Sequence, residues 1–207
     1  MMSSTSFSQE KIFLPPPKKS KFSLDEALDV RKSIRDYPSL PLTLEGVSNL
    51  LWAGYGKNRW GRKTVPSAGA LYPIFLYIVV GEVEGLDKGI YLYNSGEHTL
   101  TKLSSEDTRF QLARASLNQR WVKTAPLLII ISADFSITTS HYGKRGVRYV
   151  WMEIGYVSQN IYLEATALKL ATVAVGAFYD EEVKEILNIK KEPLLIMPVG
   201  RPKEGRW

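Results

Sequence analysis

The sequence predicts an α+β fold in which a mixed central sheet is flanked by helices. Three stretches, residues 74–80 (IFLYIVV), 126–133 (PLLIIISA) and 193–199 (PLLIMPV), are apolar from end to end. That is the composition of strands buried on both faces. Residues 148–170 contain no proline and one glycine, and their apolar side chains cover nearly every side when wound at about 3.6 residues per turn. Such a helix must be covered by its own domain, by a second subunit, or by both. Its polar residues, Glu153, Ser158, Gln159, Asn160 and Glu164, are then satisfied contacts or parts of a site. Strands and helices follow one another without a regular βαβ alternation, which separates α+β from the doubly wound class.

The elements follow in order. Residues 1–22 are rich in Ser, Lys and Pro, with Pro15, Pro16 and Pro17 in a row, and read as an extended or disordered arm. A single domain is expected over residues 23–207. Ser23 followed by Glu26 has the form of a capping box opening a helix that runs to Arg31 and stops before Tyr37 and Pro38. Thr43 opens a second helix through Leu44, Val47, Leu50 and Leu51, closed by Gly54 and Gly56. Residues 57–72 have neither period and form a long loop, the kind more often functional than connective. Residues 90–93 and 99–103 flank Asn94, Ser95 and Gly96 as a hairpin, and 106–117 carry helical spacing. The polar stretch from Asp134 to Gly146 has no assignable pattern. Residues 172–175 are a short β-branched segment and 181–187 a brief helix.

Composition removes several function classes. The chain has no cysteine, so a disulfide framework, a thiolate nucleophile and a Cys-ligated metal are excluded. His98 and His141 are too few for a histidine-rich metal site, and no metal is expected. The formal charge of +6 invites a nucleic-acid or acidic-membrane partner, but the basic residues are scattered among acids. A phosphorylated small ligand accounts for several of them. Apolar runs such as residues 126–131 are far short of the roughly 20 that span a bilayer. The N-terminus lacks the basic-then-apolar form of a secretory signal, and a cytoplasmic location is expected.

Three constellations can carry chemistry. Arg31, Ser33 and Arg35, within RKSIR, stand two residues apart and can converge on one anion; the alternative is a solvated basic helix end. Arg201, after the last strand, is a further candidate for that anion. Residues 65–73 (VPSAGALYP) are small enough to let backbone approach a flat ligand, with Ser67 as a polar contact, or they are simply a tight loop before a strand. Gly176 and Ala177 follow a short strand where a backbone N–H can enter a cleft, or where the chain merely turns. No G-x-G-x-x-G opens a helix after a strand, and no P-loop, G-x-S-x-G or H-E-x-x-H occurs. An anion clamp without a nucleophile or metal site suggests that a bound cofactor performs the reaction.

Five segments in order, RKSIR (31–35), PSAGALYP (66–73), SQN (158–160), VGAF (175–178) and PVGRP (198–202), resemble the nitroreductase-like flavoproteins, in particular the SagB-type dehydrogenase subgroup. The resemblance implies an intertwined homodimer around the long helix, with FMN at the subunit interface. It implies that Arg31, Lys32, Ser33, Arg35 and Arg201 hold the FMN phosphate. Pro66, Ser67, Ala68 and Gly69 would approach from the partner subunit, Asn118 or Gln119 would reach the ring or ribityl chain, and Gly176 and Ala177 would face flavin N5 and O4. No side chain is then expected to be catalytic, because hydride enters and leaves at flavin N5. NADH or NADPH would be the donor and a small planar molecule the acceptor. Azoline-oxidising members of the subgroup carry a Lys-Tyr pair where this chain has Arg148 and Tyr149. Arginine has no acceptor lone pair to take a proton.

Overall fold

The computed structural model describes residues 10–38 and 40–203. The first nine residues of the expected arm lie outside them. From Glu10 onward the arm is held against its own domain. Lys11–Phe13 (β1) lies antiparallel to a later strand, Ser48 Oγ donates to Pro15 O at 2.5 Å, and Lys18 N donates to Asn49 Oδ1 at 3.0 Å.

Leu24–Val30 (α1) opens with the capping box read from the sequence: Ser23 Oγ accepts from Glu26 N, and Glu26 Oε2 accepts from Ser23 N. Arg31 caps its end and the chain leaves as extended backbone. Leu42–Thr43 (β2) leads into Leu44–Tyr55 (α2), capped by Thr43. The loop after it contains one short 3-10 turn, Ala68–Ala70, and feeds Ile74–Val80 (β3). Val83–Glu84 (β4), Gly89–Asn94 (β5) and Thr99–Ser104 (β6) follow, the last two forming the expected hairpin. Arg109–Ala115 (α3) and Arg120–Thr124 (α4) precede Leu127–Ala133 (β7).

The polar stretch without a sequence pattern contains a helix, Phe135–Tyr142 (α5). Asp134 caps it by accepting from Ser136 N, while its FSITTSHY sequence offers no apolar stripe. The long helix is Arg145–Ala167 (α6), beginning and ending three residues earlier than the spacing implied. Ala171–Thr172 (β8), Asp180–Leu187 (α7) and Glu192–Gly200 (β9) complete the chain.

Seven strands form one sheet in the order β1-β6-β5-β3-β7-β9-β8, and every pairing in it is antiparallel. The expected mixture of pairings is divided between two sheets, because the parallel ladder is the separate β2–β4 pair. β7 and β8 run the same way, but β9 lies between them and pairs antiparallel with both. In β3 and β7 alternate residues enter two cores. Leu76, Ile78, Ile129 and Ile131 pack toward α2 and α6, whereas Tyr77, Val79, Leu128 and Ile130 pack toward α3, α4 and α7. Both faces are covered, which is why these strands read as unbroken apolar runs.

The 23 residues of α6 span roughly 34 Å. One face, Val150, Ile154, Val157 and Ile161, is buried in the first core. The opposite face is not covered by this chain: Val147, Trp151, Met152 and Tyr156 are 40–52% exposed. The helix is therefore apolar all round, as the sequence indicated, but its own domain covers only half of it.

Candidate functional site

The Arg31–Arg35 segment leaves α1 extended. Ile34 is buried and its N–H bonds to Thr172 O at 3.0 Å, while Lys32, Ser33 and Arg35 are exposed. This anchoring beside β8 turns the neighbouring polar side chains outward. Tyr162 of α6 organises them. The Arg31 guanidinium lies 5.1 Å from the centre of its ring, and Ser33 Oγ lies 2.9 Å from its hydroxyl. The same hydroxyl accepts from Ala174 N at 2.7 Å. Either oxygen of the Ser33–Tyr162 pair can be the donor, and the bond fixes the serine hydroxyl beside Arg31. Arg35 lies 5.7 Å from the Trp121 ring centre. Neither arginine pairs with a carboxylate among the described residues, so the clamp keeps its charge for a ligand.

The second group sits close by through Trp121. Leu117 and Asn118 both have positive φ (56° and 58°), a pair of left-handed residues that reverses the chain between α3 and α4. Gln119 Nε2 then donates to Ala177 O at 3.1 Å. Gly176 and Ala177 are exposed, held by the bridge between Val175 and Ile196. The 31–35 segment, Gln119 and the Gly176–Ala177 turn thus share one side of the domain. They are tied through Tyr162, which bonds both Ser33 and the chain two residues before Gly176.

Arg201 stands apart. Its Nε donates to Pro41 O at 3.1 Å, and it lines a cavity of about 610 Å³ with Lys18, Glu45, Lys169 and Leu170. Arg31, Ser33 and Arg35 do not line that cavity.

The Pro66–Gly69 loop is also distant from the clamp within one chain. Ser67 Oγ accepts from Tyr72 N at 3.0 Å, and the serine lies near enough to the Glu153 carboxyl to pull its titration downward. Glu153 is nine residues before Tyr162 on α6, or roughly 13 Å along the axis. Gly69 has φ 60°, the left-handed region that favours glycine, and a Cβ there would lie 2.9 Å from Tyr142 Oη at the tip of a side chain that can shift. Pro66 is exposed and Ala68 half-buried, leaving the loop's outer side open.

Sequence reading missed the group beneath that loop. Glu153 is buried at 2% exposure and accepts from Tyr55 Oη at 2.7 Å. Burial raises its carboxyl above the usual range, against the lowering pull of Ser67, Tyr55 and Lys63. Lys63 lies 4.7 Å from the Tyr55 ring centre, and burial brings its amine down to about 8. Residues 55, 63, 67 and 153 come from three separate segments, so no local spacing marks them. Tyr162 was also invisible as part of the clamp, since only tertiary packing brings it to Ser33.

Relatives bear on this arrangement. A Methanocaldococcus jannaschii protein provisionally named a nitroreductase is 48% identical over 189 residues, covering 91% of this chain and 96% of that protein. The trifolitoxin-processing protein TfxB of Rhizobium leguminosarum bv. trifolii is 32% identical over 133 residues, 62% of this chain but 36% of its own length. A crystal structure from Ralstonia eutropha, also provisionally named a nitroreductase, superposes with TM-score 0.81 at 27% identity over 96% of this chain and 92% of that one. The NADPH:FMN oxidoreductase of Vibrio harveyi, complexed with NAD+, shares the fold alone: TM-score 0.64 at 18% identity, covering 87% of this chain and 69% of its own. The model of the Nitroreductase family matches residues 28–201, from within α1 through Arg201. With that span enclosing the clamp, the loop, the long helix and the Gly176–Ala177 turn, the chain belongs to the Nitroreductase family of oxidoreductases.

Proposed function

We propose that the protein is an FMN-dependent oxidoreductase that moves electrons from NADH or NADPH to a small planar acceptor such as a nitroaromatic or a quinone. The observation that carries this reading is the clamp on Tyr162, two unpaired guanidinium groups and an outward-facing serine hydroxyl on one side of the domain. Its chemistry suits a phosphate monoester: planar forks neutralise the charge, and Ser33, positioned by Tyr162, adds a hydroxyl. Each such bond contributes roughly 1.5–3 kcal/mol. Lys32 adds exposed positive charge nearby, and Arg201 would join the clamp only by leaving Pro41 O.

When bound, the flavin supplies the two-electron chemistry for which the chain has no side chain of its own. The protein's part is binding and orientation. Gln119, braced on Ala177 O, and neighbouring Asn118 offer polar groups toward the ring or ribityl chain. The backbone at Gly176 and Ala177 is open to solvent and meets the reactive edge without a bulky side chain in the way.

Two copies complete the site. The uncovered face of α6 carries Val147, Trp151, Met152 and Tyr156, and a Cβ added at Gly155 between them meets nothing within 4 Å. A second α6 laid on this face buries the apolar side chains and approaches closely at Gly155. It also carries the Pro66–Gly69 loop of one copy toward the clamp of the other, joining parts that a single chain holds apart.

A second reading, dehydrogenation of azoline rings in a modified peptide, is favoured by the likeness to the trifolitoxin-processing protein. Here Arg148 is exposed at the start of α6 and the Tyr149 ring packs edge-on against Tyr142 at 5.1 Å, so a proton acceptor would have to come from another residue. An anaerobic reductive titration of purified protein tests the first reading. Yellow protein that bleaches with NADH or NADPH and is reoxidised by a quinone or nitroaromatic is expected; bound flavin that no nicotinamide reduces would overturn the donor assignment.

A further inference from the structure

Beyond the flavin reading, and independent of it, lies an opening inside the sheet. The ladder between β3 and β5 stops at Tyr77 and Leu92. Both strands continue: β3 pairs with β7 as far as Ile74, and β5 with β6 as far as Asn94. Two central neighbours therefore diverge, and the wedge between them is a cavity of about 310 Å³, at the small end of the range for ligand pockets. Tyr55, Tyr72, Phe75 and Tyr93 supply aromatic walls, and Lys63 is the charged group on its lining.

Two of the tyrosine hydroxyls on the walls are already engaged. Tyr55 Oη donates to Glu153 and Tyr93 Oη bonds His98 Nδ1 at 2.8 Å. Lys63 Nζ reaches Ser95 Oγ and lies 4.7 and 5.9 Å from the Tyr55 and Tyr72 ring centres, but it has no carboxylate partner among the described residues. Lys57, on the same loop and bonded to Gly96 O, adds a second positive charge. An ammonium against two tyrosine rings, influenced by Glu153 but not bonded to it, suits a ligand with one negative charge and a flat apolar body.

We infer that the wedge between β3 and β5 is a binding site for a small planar aromatic carboxylate, its ring between the tyrosine and phenylalanine walls and its carboxylate on Lys63. Burial brings the amine down to about 8, with Lys57 adding to the fall and Glu153 opposing it. Tyr72 belongs both to this wall and to the loop bearing Ser67, so occupancy is registered at the loop.

Calorimetric titration of the flavin-loaded protein with benzoate and with neutral benzamide tests the site. Benzoate should bind at a site that benzamide fills at least tenfold more weakly. Lys63→Met, which keeps the aliphatic stem, should weaken benzoate at that site by roughly ten- to a hundredfold and leave benzamide affinity unmoved. Equal binding of the two probes, no benzoate binding, or benzoate affinity untouched by Lys63→Met would each overturn the assignment. If Lys63→Met fails to fold, the comparison of benzoate with benzamide on the unaltered protein decides it.

Discussion

Tyr162→Phe removes one oxygen atom from the hub of the clamp and leaves the ring on which Arg31 stacks. Two hydrogen bonds go with it, from Ala174 N at 2.7 Å and with Ser33 Oγ at 2.9 Å. At a net contribution of about 0.5–1.5 kcal/mol each, the fold should lose about 1–3 kcal/mol. For a domain of this size each kcal/mol lowers Tm by about 2–4 °C. The more telling effect is on ligands. Without the tyrosine hydroxyl, Ser33 loses the bond that fixes its orientation, and FMN affinity should fall about tenfold, or roughly 1.4 kcal/mol. Riboflavin has the same ring and no phosphate, so its affinity should not move. Quenching of flavin fluorescence on titration with the apoprotein measures both. An unchanged FMN affinity, or an equal loss for riboflavin, would refute the role given to Tyr162 and Ser33 as a phosphate device.

The remaining predictions test other links. Arg31→Ala should give folded but colourless protein, by losing charge-assisted bonds of roughly 1.5–3 kcal/mol, and Arg201→Ala should do the same; stoichiometric FMN in both would remove the phosphate assignment. Glu153 has a raised carboxyl, so the folded state holds its proton more tightly and stability is lost as pH rises from the ordinary carboxylate range through the raised value. Glu153→Gln should flatten that part of the pH profile of chemical denaturation, and an unaltered profile would contradict it. His98 is lowered by burial while it holds Pro15, Ser48 and Tyr93, so its contribution is present above about 6.5, its ordinary value, and is lost as pH falls through the lowered one. Hydrogen exchange at residues 11–18 should therefore speed up in acid more than exchange in the central strands. Gly146→Ala places a Cβ 2.8 Å from the Thr138 backbone where α5 meets α6, and should cost about 1–3 kcal/mol by forcing the two helices apart; a Tm unchanged in thermal unfolding would show that the contact yields freely.

What could be read beforehand and what could not divides along a physical line. β3 and β7 were legible because both faces are covered, leaving no polar alternation to confuse the pattern. α1 and α2 announced themselves by Ser23 and Thr43, whose side chains make the capping bonds they suggest. α5 was hidden because FSITTSHY owes its place to packing on α6 and to one cap at Asp134, with no periodic stripe. Of the site, the run of Arg31, Ser33 and Arg35 at a helix end was visible locally, whereas the bond from Gln119 to Ala177 O had no local signal. The supports of the site's segments were not visible either. Tyr162 beneath Ser33, and Glu153 with Tyr55 beneath Ser67, depend on how α6 lies against loops about 85–130 residues away in sequence. Arg201 shows the limit of motif order, since its place after β9 was correct while its side chain is engaged with Pro41 O.

The most direct test of a flavin held by two copies is sedimentation velocity of the purified protein, followed at both protein and flavin absorbance. The account predicts one boundary at the mass of two chains, carrying flavin with it at one per chain. A well-folded species of 23.4 kDa that sediments without flavin, in the presence of excess FMN, would contradict it.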